Sequence, residues 1–356
     1  MRVLSILGAR PQFVKLAPID AAMREAGVDH VIVHTGQHYD PLLSDVFFED
    51  LGISAPAEHL GVGSGSHGVQ TGRIMEALDP VLEKHQPDWV LVYGDTNSTL
   101  AVAVCAAKAH IPLAHLEAGL RSFNRAMPEE INRVLTDHAS DLLLTPTLVG
   151  AEHLAEEGIA DNVVITGDVM TDVLFQTRDQ VKDQPAPLAD SLNLAPGSYS
   201  VATIHRAENT DDPQRLDAIL EALGSVDHPV VILAHPRLLA KCAEHGTELE
   251  RGNLIAHAPL PYPGLVAAVA NARGVITDSG GLQKEAFLLR VPCTTVRPQT
   301  EWVETVDLGW NQLVEPGPEL TQAATRPCPK DTDEAPYGDG HAATRVVQAL
   351  LDAVHE

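Results

Sequence analysis

Residues 274–285, Gly-Val-Ile-Thr-Asp-Ser-Gly-Gly-Leu-Gln-Lys-Glu, contain the pattern that decides the fold of this chain. The apolar start predicts a buried strand, residues 278–281 predict a tight turn, and the residues after it have helical spacing. Two glycines at the start of a helix let a ligand approach free backbone N–H groups and the positive end of the helix dipole. This arrangement suits a phosphate, with Glu285 one turn later able to accept from ribose hydroxyls. An ordinary helix cap at Asp278 or Ser279 explains the same residues equally well.

The composition is that of a globular protein with a strong negative charge. The 356 residues are 44% hydrophobic and 21% charged, and 24 Lys and Arg against 49 Asp and Glu give a net charge of −25 and a pI near 4.9. The length predicts roughly two or three domains. Such acidity disfavours nucleic acid and anionic membranes as partners. An anionic ligand therefore needs a local basic cradle.

The cysteines and the first residues bear on metal sites and location. Cys105, Cys242, Cys293 and Cys328 show no CxxC spacing, which predicts neither a zinc site nor a disulfide framework. The chain enters a predicted strand without a signal-peptide layout, and no apolar run approaches membrane-spanning length. We expect a cytoplasmic protein without metal.

Two series of alternating strands and helices predict two parallel sheets with helices on both faces. Strands are predicted at residues 2–7, 29–35, 89–94 and 112–116, and then near 163 and at 200–204, 230–234, 254–256, 275–277 and 293–296. Residues 60–72, rich in glycine, are predicted to be a mobile lid or linker, and residues 184–196 a Pro/Ala/Asp-rich linker. No GxGxxG follows the first strand, so a dinucleotide fingerprint is absent.

These series predict an α/β protein of two Rossmann-like domains with a central cleft, the glycosyltransferase-B arrangement. The expected N-terminal domain is residues 1–168 and the expected C-terminal domain residues 169–342, with helix 343–356 packing back on the first. Ligands then lie at the carboxyl ends of both sheets.

Three acidic residues lie where strands end or helices begin. Asp95 and Glu117 end predicted strands separated by one helix, so both should project from one sheet edge, and Glu129 opens a helix. Each alone is explained by helix capping or by the helix dipole. Three carboxylates around one cleft raise one another's pKa, which suits proton transfer at neutral pH.

Basic residues lie at two other strand ends. His205, beside Arg206, could stabilise a departing phosphate or cap the next helix. Arg10 and Lys15 follow the first strand and are either a second wall of the cleft or a solvated helix face. Lys15 falls within an apolar periodic stretch, which makes exposure less natural.

The chain resembles the non-hydrolysing UDP-N-acetylglucosamine 2-epimerases over residues 1–315. The resemblance is carried, in order, by GARPQFVKLAP, TGQHYD, VYGDTNSTLA, HLEAGLRS, MPEEINR, TIHRAEN and TDSGGLQKEA, with PYGDGHAA near the end. It implies UDP bound mainly by the second domain and a homodimer. It also implies inversion at carbon-2 of UDP-N-acetylglucosamine, giving UDP-N-acetylmannosamine without NAD, metal or other cofactor, by elimination of UDP to a glycal and re-addition.

The resemblance also implies roles for individual residues. The family's basic contacts fall on Arg10 and Lys15, its acids on Asp95, Glu117 and Glu129, its histidine on His205, its phosphate turn on Ser279, Gly280 and Gly281, its ribose carboxylate on Glu285, and its uracil loop on residues 259–262, including Leu260.

The chain departs from the family pattern at several positions. Trp302 stands where many members have an arginine, and Arg297 is the candidate to replace that contact. Val69 and Asp40 replace an arginine and a glutamine found in members activated by a second substrate molecule. We therefore expect no substrate activation. HLEAGLRS, in place of a His-x-His-Gly-Gly-like stretch, disfavours hydrolysis.

Alternatives stay open at this point. Some motifs also resemble relatives that act on diacetamido-uronic acid nucleotides, so the hexose is undecided. A glycosyltransferase of the same fold would need only one base, and a nucleotide-sugar sensor would need no catalytic acids.

Overall fold

The computed structural model describes residues 1–37, 52–182 and 187–353, apart from the side chains of Arg10, Pro187 and Asp190. Asp40, one of the two positions on which the expectation of no substrate activation rests, lies outside the described residues. The chain divides into two compact units. The N-terminal unit comprises Met1–Val173 and Ala335–Glu356, and the C-terminal unit comprises Leu174–Glu334.

The N-terminal unit is built on a parallel sheet. Its strands are β1 (Arg2–Leu7), β2 (Asp29–His34), β3 (Glu58–His59), β4 (Trp89–Tyr93), β5 (Leu113–Leu116), β6 (Leu142–Thr145) and β7 (Val163–Ile165). Its helices are α1 (Arg10–Glu25), α2 (His67–His85), α3 (Asn97–Lys108), α4 (Pro128–Ala139), α5 (Leu148–Glu156), α6 (Val169–Val181), which extends past Val173, and the last helix, α15 (Ala342–Ala353).

The strand order of this sheet is β3-β2-β1-β4-β5-β6-β7, with parallel pairing throughout. The order reverses between β1 and β4. In open α/β sheets such a switch point creates a crevice at the carboxyl ends of the strands, where ligands bind. The turns after β1 and β4 border it.

The C-terminal unit repeats this plan. Its strands are β8 (Ser200–Thr203), β9 (Val230–Leu233), β10 (Leu254–His257), β11 (Gly274–Thr277), β12 (Cys293–Thr295) and β13 (Asn311–Leu313). Its helices are α7 (Pro187–Leu192), α8 (Ala207–Thr210), α9 (Pro213–Gly224), α10 (Pro236–His245), α11 (Tyr262–Ala270), α12 (Gly280–Leu288), α13 (Val303–Asp307) and α14 (Pro318–Ala324). The parallel order β10-β9-β8-β11-β12-β13 reverses between β8 and β11, so the turn at residues 278–281 borders this switch point. The predicted parallel α/β fold is confirmed in both units. No helix within the described residues is both long and apolar enough to span a bilayer.

The last helix completes the core of the N-terminal unit. Helix α15 packs on α1, and Val346 and Leu350 are fully buried in the same apolar cluster as Leu16 and Ile19. The buried Asp172 carboxylate accepts from the first backbone N–H groups of α15, at 3.0 and 2.8 Å. A side chain from α6 therefore caps this helix.

Two predicted loops are wrong in part. Residues 67–72 of the glycine-rich stretch form the first turns of α2. The buried Gln70 side chain compensates for the glycines, since it donates to the Gly63 carbonyl and accepts from Asn97, both at 2.8 Å. Helix α7 likewise lies inside the predicted linker, because Leu188 and Ala189 are buried in a core cluster.

We predict that Leu350→Ala lowers the free energy of unfolding by about 2–5 kcal/mol, because it leaves a cavity between α15 and α1. Leu148→Ala is the matched control, since Leu148 lies in the same unit and is 61% exposed. Urea unfolding measures both variants. Equal free energies of unfolding would show that α15 does not contribute to the core.

Candidate functional site

A largely buried ion pair lies at the carboxyl edge of the N-terminal sheet. The Lys15 ammonium from α1 pairs with the carboxylate of Glu117, the residue after β5, and the two side chains are only 15% and 14% exposed. Gly94, after β4, makes room for the pair, since a Cβ there would lie 3.2 Å from Glu117 Oε2 and 3.7 Å from Lys15 Nζ. The alternative of Lys15 on a solvated helix face is therefore excluded.

The charge of Lys15 is maintained by its neighbours. Burial by itself lowers the pKa of the Lys15 ammonium, but the Glu117 carboxylate, with smaller contributions from Asp168 and Asp95, raises it above its usual value. Lys15 is therefore a permanent cation close to two of the three predicted acids.

Glu117 has an unusual backbone conformation. Its φ is 71°, in the left-handed region that disfavours residues with a Cβ, and its N–H donates to the Leu144 carbonyl at 3.1 Å. Strain of this kind is common at functional sites, where surrounding contacts hold a side chain in a required direction. Here it directs the carboxylate to Lys15.

Asp95 is held by a different cation. Arg133 Nε and Nη2 lie 2.9 and 2.7 Å from Asp95 Oδ2, and the Asn132 amide donates to the Asp95 carbonyl at 2.8 Å. Thr96, whose side chain accepts from Thr99 N, caps helix α3 instead. The capping alternative for Asp95 is thereby excluded.

The third predicted acid, Glu129, stands apart. It is exposed in the first turn of α4, and no hydrogen bond or ion pair joins it to Asp95 or Glu117 within the described part of the chain. Its neighbour Glu130 is 3% exposed and accepts from the Ser122 and Phe123 backbone and from Arg133, at 2.8 to 2.9 Å. Sequence reasoning missed Glu130, although the adjacent acids in the MPEEINR stretch were a signal.

In the turn after β11, Asp278 and Ser279 have different contacts, and the sequence alone did not show which of them caps the helix. The buried Asp278 carboxylate accepts from the His205 and Arg206 backbone N–H groups and from Asn209, at 2.9 to 3.1 Å. Burial alone raises the pKa of Asp278, but these hydrogen bonds and His205 lower it below its usual value. Ser279 occupies the N-cap position of α12 without a side-chain cap hydrogen bond. Neither residue therefore caps α12, which leaves its start available to a ligand.

The two glycines of this turn differ in their surroundings. A Cβ added at Gly281 would meet no atom within 4 Å, whereas one at Gly280 would contact Glu301 Oε1. Glu301 also pairs with the nearly buried Arg297 at 3.0 Å. An acidic and a basic side chain thus lie beside the open start of α12.

The remaining predicted binding residues lie close to this turn in the same unit. The Tyr262 hydroxyl donates to Glu285 Oε1 at 3.1 Å, and the half-buried Leu260 packs beside this region. His205 is 37% exposed, with Nδ1 3.1 Å from Asp278 Oδ1. Arg10 begins α1, and its side chain lies outside the described part of the structure.

Each unit thus carries polar groups at the switch point of a Rossmann-like sheet. Two Rossmann-like sheets of this kind are characteristic of two-domain α/β proteins that bind ligands at the switch points. The family model described as UDP-N-acetylglucosamine 2-epimerase matches residues 20–351, so the chain belongs to that family. The resemblance read from the motifs is confirmed.

Similar proteins support this assignment over the whole chain. The chain is 44% identical to the UDP-2,3-diacetamido-2,3-dideoxy-D-glucuronate 2-epimerase of Pseudomonas aeruginosa, over 98% of this chain and 99% of that protein. It is 39% identical to the UDP-N-acetylglucosamine 2-epimerase of Methanocaldococcus jannaschii, with the same coverage. A crystal structure of the M. jannaschii UDP-GlcNAc 2-epimerase in complex with UDP-GlcNAc and UDP has a TM-score of 0.79 and 37% identity, over 99% of this chain and 100% of the other.

We predict that Asp278→Asn removes a contribution to the free energy of unfolding that depends on the ionised Asp278 carboxylate. Because the folded-state pKa of Asp278 is lowered, its contribution is present above the ordinary value of 3.8 and is lost as the pH falls through the folded pKa. The variant should be less stable at neutral pH by about 1–3 kcal/mol, and this difference should shrink in acid. Urea unfolding at neutral pH and at pH values below 3.8 measures the difference in the free energy of unfolding. The exposed Asp333→Asn is the control. A difference that does not change with pH would contradict the assignment.

Proposed function

We propose that this chain catalyses the non-hydrolysing inversion of carbon-2 in UDP-N-acetylglucosamine to give UDP-N-acetylmannosamine. The observation that carries the proposal is the largely buried Lys15–Glu117 pair with Asp95 nearby, in a chain whose other unit offers an uncapped Ser-Gly-Gly turn. Family membership supports the same reaction.

The proposed chemistry needs proton transfer and a stabilised leaving group. A base removes the proton from carbon-2 while the bond from carbon-1 to the diphosphate oxygen breaks, and UDP leaves with the electron pair. The resulting glycal takes a proton on the opposite face of carbon-2 as the diphosphate oxygen returns to carbon-1. Asp95 and Glu117 are the proposed proton-transfer groups, each oriented by its own cation, Arg133 or Lys15.

Glu129 stays a proposed third acid by resemblance. Its carboxylate is exposed, so it is accessible to a ligand, and no contact of the described structure orients it. Its contribution therefore depends on the bound sugar, unlike that of Asp95 or Glu117.

The C-terminal unit supplies the proposed UDP site. Ser279, Gly280 and Gly281 would bind the diphosphate through backbone N–H groups, and Glu285 would accept from the ribose. The Leu260 loop would contact uracil, and His205 would stabilise the departing diphosphate. Arg10 is a proposed contact by resemblance.

The hexose is tested by proton NMR in deuterium oxide, with UDP-N-acetylglucosamine and the UDP-diacetamido-uronic acid sugar compared as substrates. The 44% identity to the P. aeruginosa protein favours the uronic acid as the second candidate. Exchange at carbon-2 with a manno product from the first sugar supports the proposal. Exchange only with the uronic acid supports the alternative, and UDP with free sugar marks hydrolysis. Absence of any reaction would mark a sensor.

A homodimer in the cytoplasm is part of the proposal. The dimer rests on the family resemblance, and the location rests on a sequence without a signal-peptide layout. Light scattering coupled to size-exclusion chromatography tests the dimer. We also expect hyperbolic substrate dependence, since Val69 stands on α2 where activated members have arginine. A Hill coefficient clearly above one would contradict this expectation.

We predict that Asp95→Asn and Glu117→Gln each lose about 10²–10⁴-fold in turnover, because each removes a proton-transfer group. UDP affinity should stay unchanged, since the proposed UDP site is in the other unit. The exposed Glu152→Gln is the control in the same unit. Near-normal turnover in either variant would remove that residue from the mechanism.

We predict opposite effects of Gly281→Ala on stability and on UDP binding. The added methyl group meets open space, so the free energy of unfolding of the variant should be higher than that of the wild type by about 0.4–1 kcal/mol. A diphosphate approaching the α12 backbone would collide with it, so calorimetry should show UDP binding at least about tenfold weaker. Gly68→Ala, at the same position of α2 and also facing open space, is the matched control. Unchanged UDP affinity in Gly281→Ala would place the diphosphate elsewhere.

A further inference from the structure

A buried histidine lies behind the turn that carries Asp95. His115, on β5, is fully buried, and its Nε2 lies 2.7 Å from the carbonyl oxygen of Gly94. Its Nδ1 lies 2.6 Å from Asp137 Oδ1. A carbonyl oxygen only accepts, so Nε2 carries a proton and donates it to Gly94.

The partner on the other side of the ring is a carboxylate. Asp137 is buried and also accepts from Gly119 N at 3.1 Å and from Arg121 at 2.7 Å. Burial by itself raises the pKa of Asp137, but His115 and Arg121 lower it below its usual value. An ionised Asp137 can only accept, so Nδ1 carries a proton as well. Both ring nitrogens therefore face acceptors, the arrangement that a doubly protonated ring satisfies.

The Gly94 peptide needs a partner to fix its direction. Gly94 has φ 60° and no Cβ, so rotation of its peptide has little steric cost. Its N–H donates to the Leu116 carbonyl at 3.0 Å, and its carbonyl accepts from His115. Asp95 is the next residue, and Gly94 also packs against the Glu117 carboxylate. The orientation of this peptide thus affects both proposed proton-transfer groups.

We infer that His115 is a positioning residue, whose buried imidazolium, held by Asp137, fixes the Gly94 carbonyl and with it the turn that leads into Asp95. For its kinetic consequence this inference rests on the proposed function. A buried ion pair returns little net stability, because desolvation offsets the attraction. A charged donor, however, makes a hydrogen bond about twice as strong as a neutral one. The pair is therefore better suited to holding the carbonyl than to stabilising the fold.

Two substitutions separate the two contacts of the ring. His115→Gln places its amide nitrogen about where Nε2 lies and keeps a donor for Gly94, whereas His115→Asn places it about where Nδ1 lies and keeps only the contact with Asp137. We expect His115→Asn to lose about 10²-fold in kcat, since a small displacement of catalytic groups costs that much. We expect His115→Gln to retain most of the wild-type kcat. The KM and the calorimetric Kd of UDP should be unchanged in both, because the proposed UDP site is in the other unit.

His30→Gln is the matched control for the loss of a buried ion pair. His30 lies near the amino end of β2, with Nδ1 2.7 Å from Asp20 and Nε2 2.8 Å from Ser5 Oγ, and its side chain is 3% exposed. It should lose stability comparably while kcat stays at the wild-type value. Equal losses of kcat in His115→Gln and His115→Asn, or the reverse order, would overturn the inference.

The wild-type protein provides a test that depends on neither variant folding nor turnover. Nitrogen-15 NMR of the free enzyme should show His115 with protons on both ring nitrogens, each in a hydrogen bond, and a ring with a single proton would overturn the inference. If the wild-type enzyme does not exchange the hydrogen at carbon-2 of any UDP-sugar, the proposed function fails. The spectrum still decides whether both ring nitrogens of His115 carry protons.

Discussion

In each unit a buried polar side chain at the carboxyl edge of the sheet forms hydrogen bonds with the backbone turn that follows the neighbouring strand. Asp278, after β11, binds the N–H groups of His205 and Arg206 after β8, and His115 of β5 binds the carbonyl of Gly94 after β4. Parallel strands end with unpaired backbone N–H and C=O groups, and these hydrogen bonds pair some of those groups. The other features of both sites depend on the turns thus held.

Local charge balance is compatible with the proposed anion site in so acidic a chain. The net charge is −25, yet one cation near the carboxyl edge of each sheet is paired with a specific carboxylate. Lys15 pairs with Glu117, and Arg297 pairs with Glu301 beside the start of α12. A paired cation avoids the cost of burying an isolated charge.

Trp302, at the position where the family pattern has an arginine, contacts a lysine in this chain. The Trp302 ring lies 4.4 Å from the Lys284 ammonium, so the indole covers a buried cation of α12 through a cation–π contact. Because this lysine follows the glycine turn on the same helix, the substitution changes the surroundings of the proposed diphosphate site. Relatives named for two different sugars resemble the chain to similar degrees, so sequence identity alone does not select the hexose.

The parallel α/β fold was predictable because short apolar runs bounded by turn residues recur with helical segments between them. The Ser-Gly-Gly turn was predictable for the same local reason. The helix that begins at His67 was not, because its glycines disfavour helix and the compensating Gln70 contacts come from residues elsewhere in the unit.

The sequence by itself determined which residue types stand at each strand end, and therefore which residues were candidates for the site. Only the tertiary structure decided their partners: Lys15 meets Glu117, which is 102 positions away, and of two adjacent acids Glu130 is buried while Glu129 is exposed. The physical reason is that neighbouring helix residues point in directions about 100° apart, so the packing of α4, not its sequence, selects the one that turns inward.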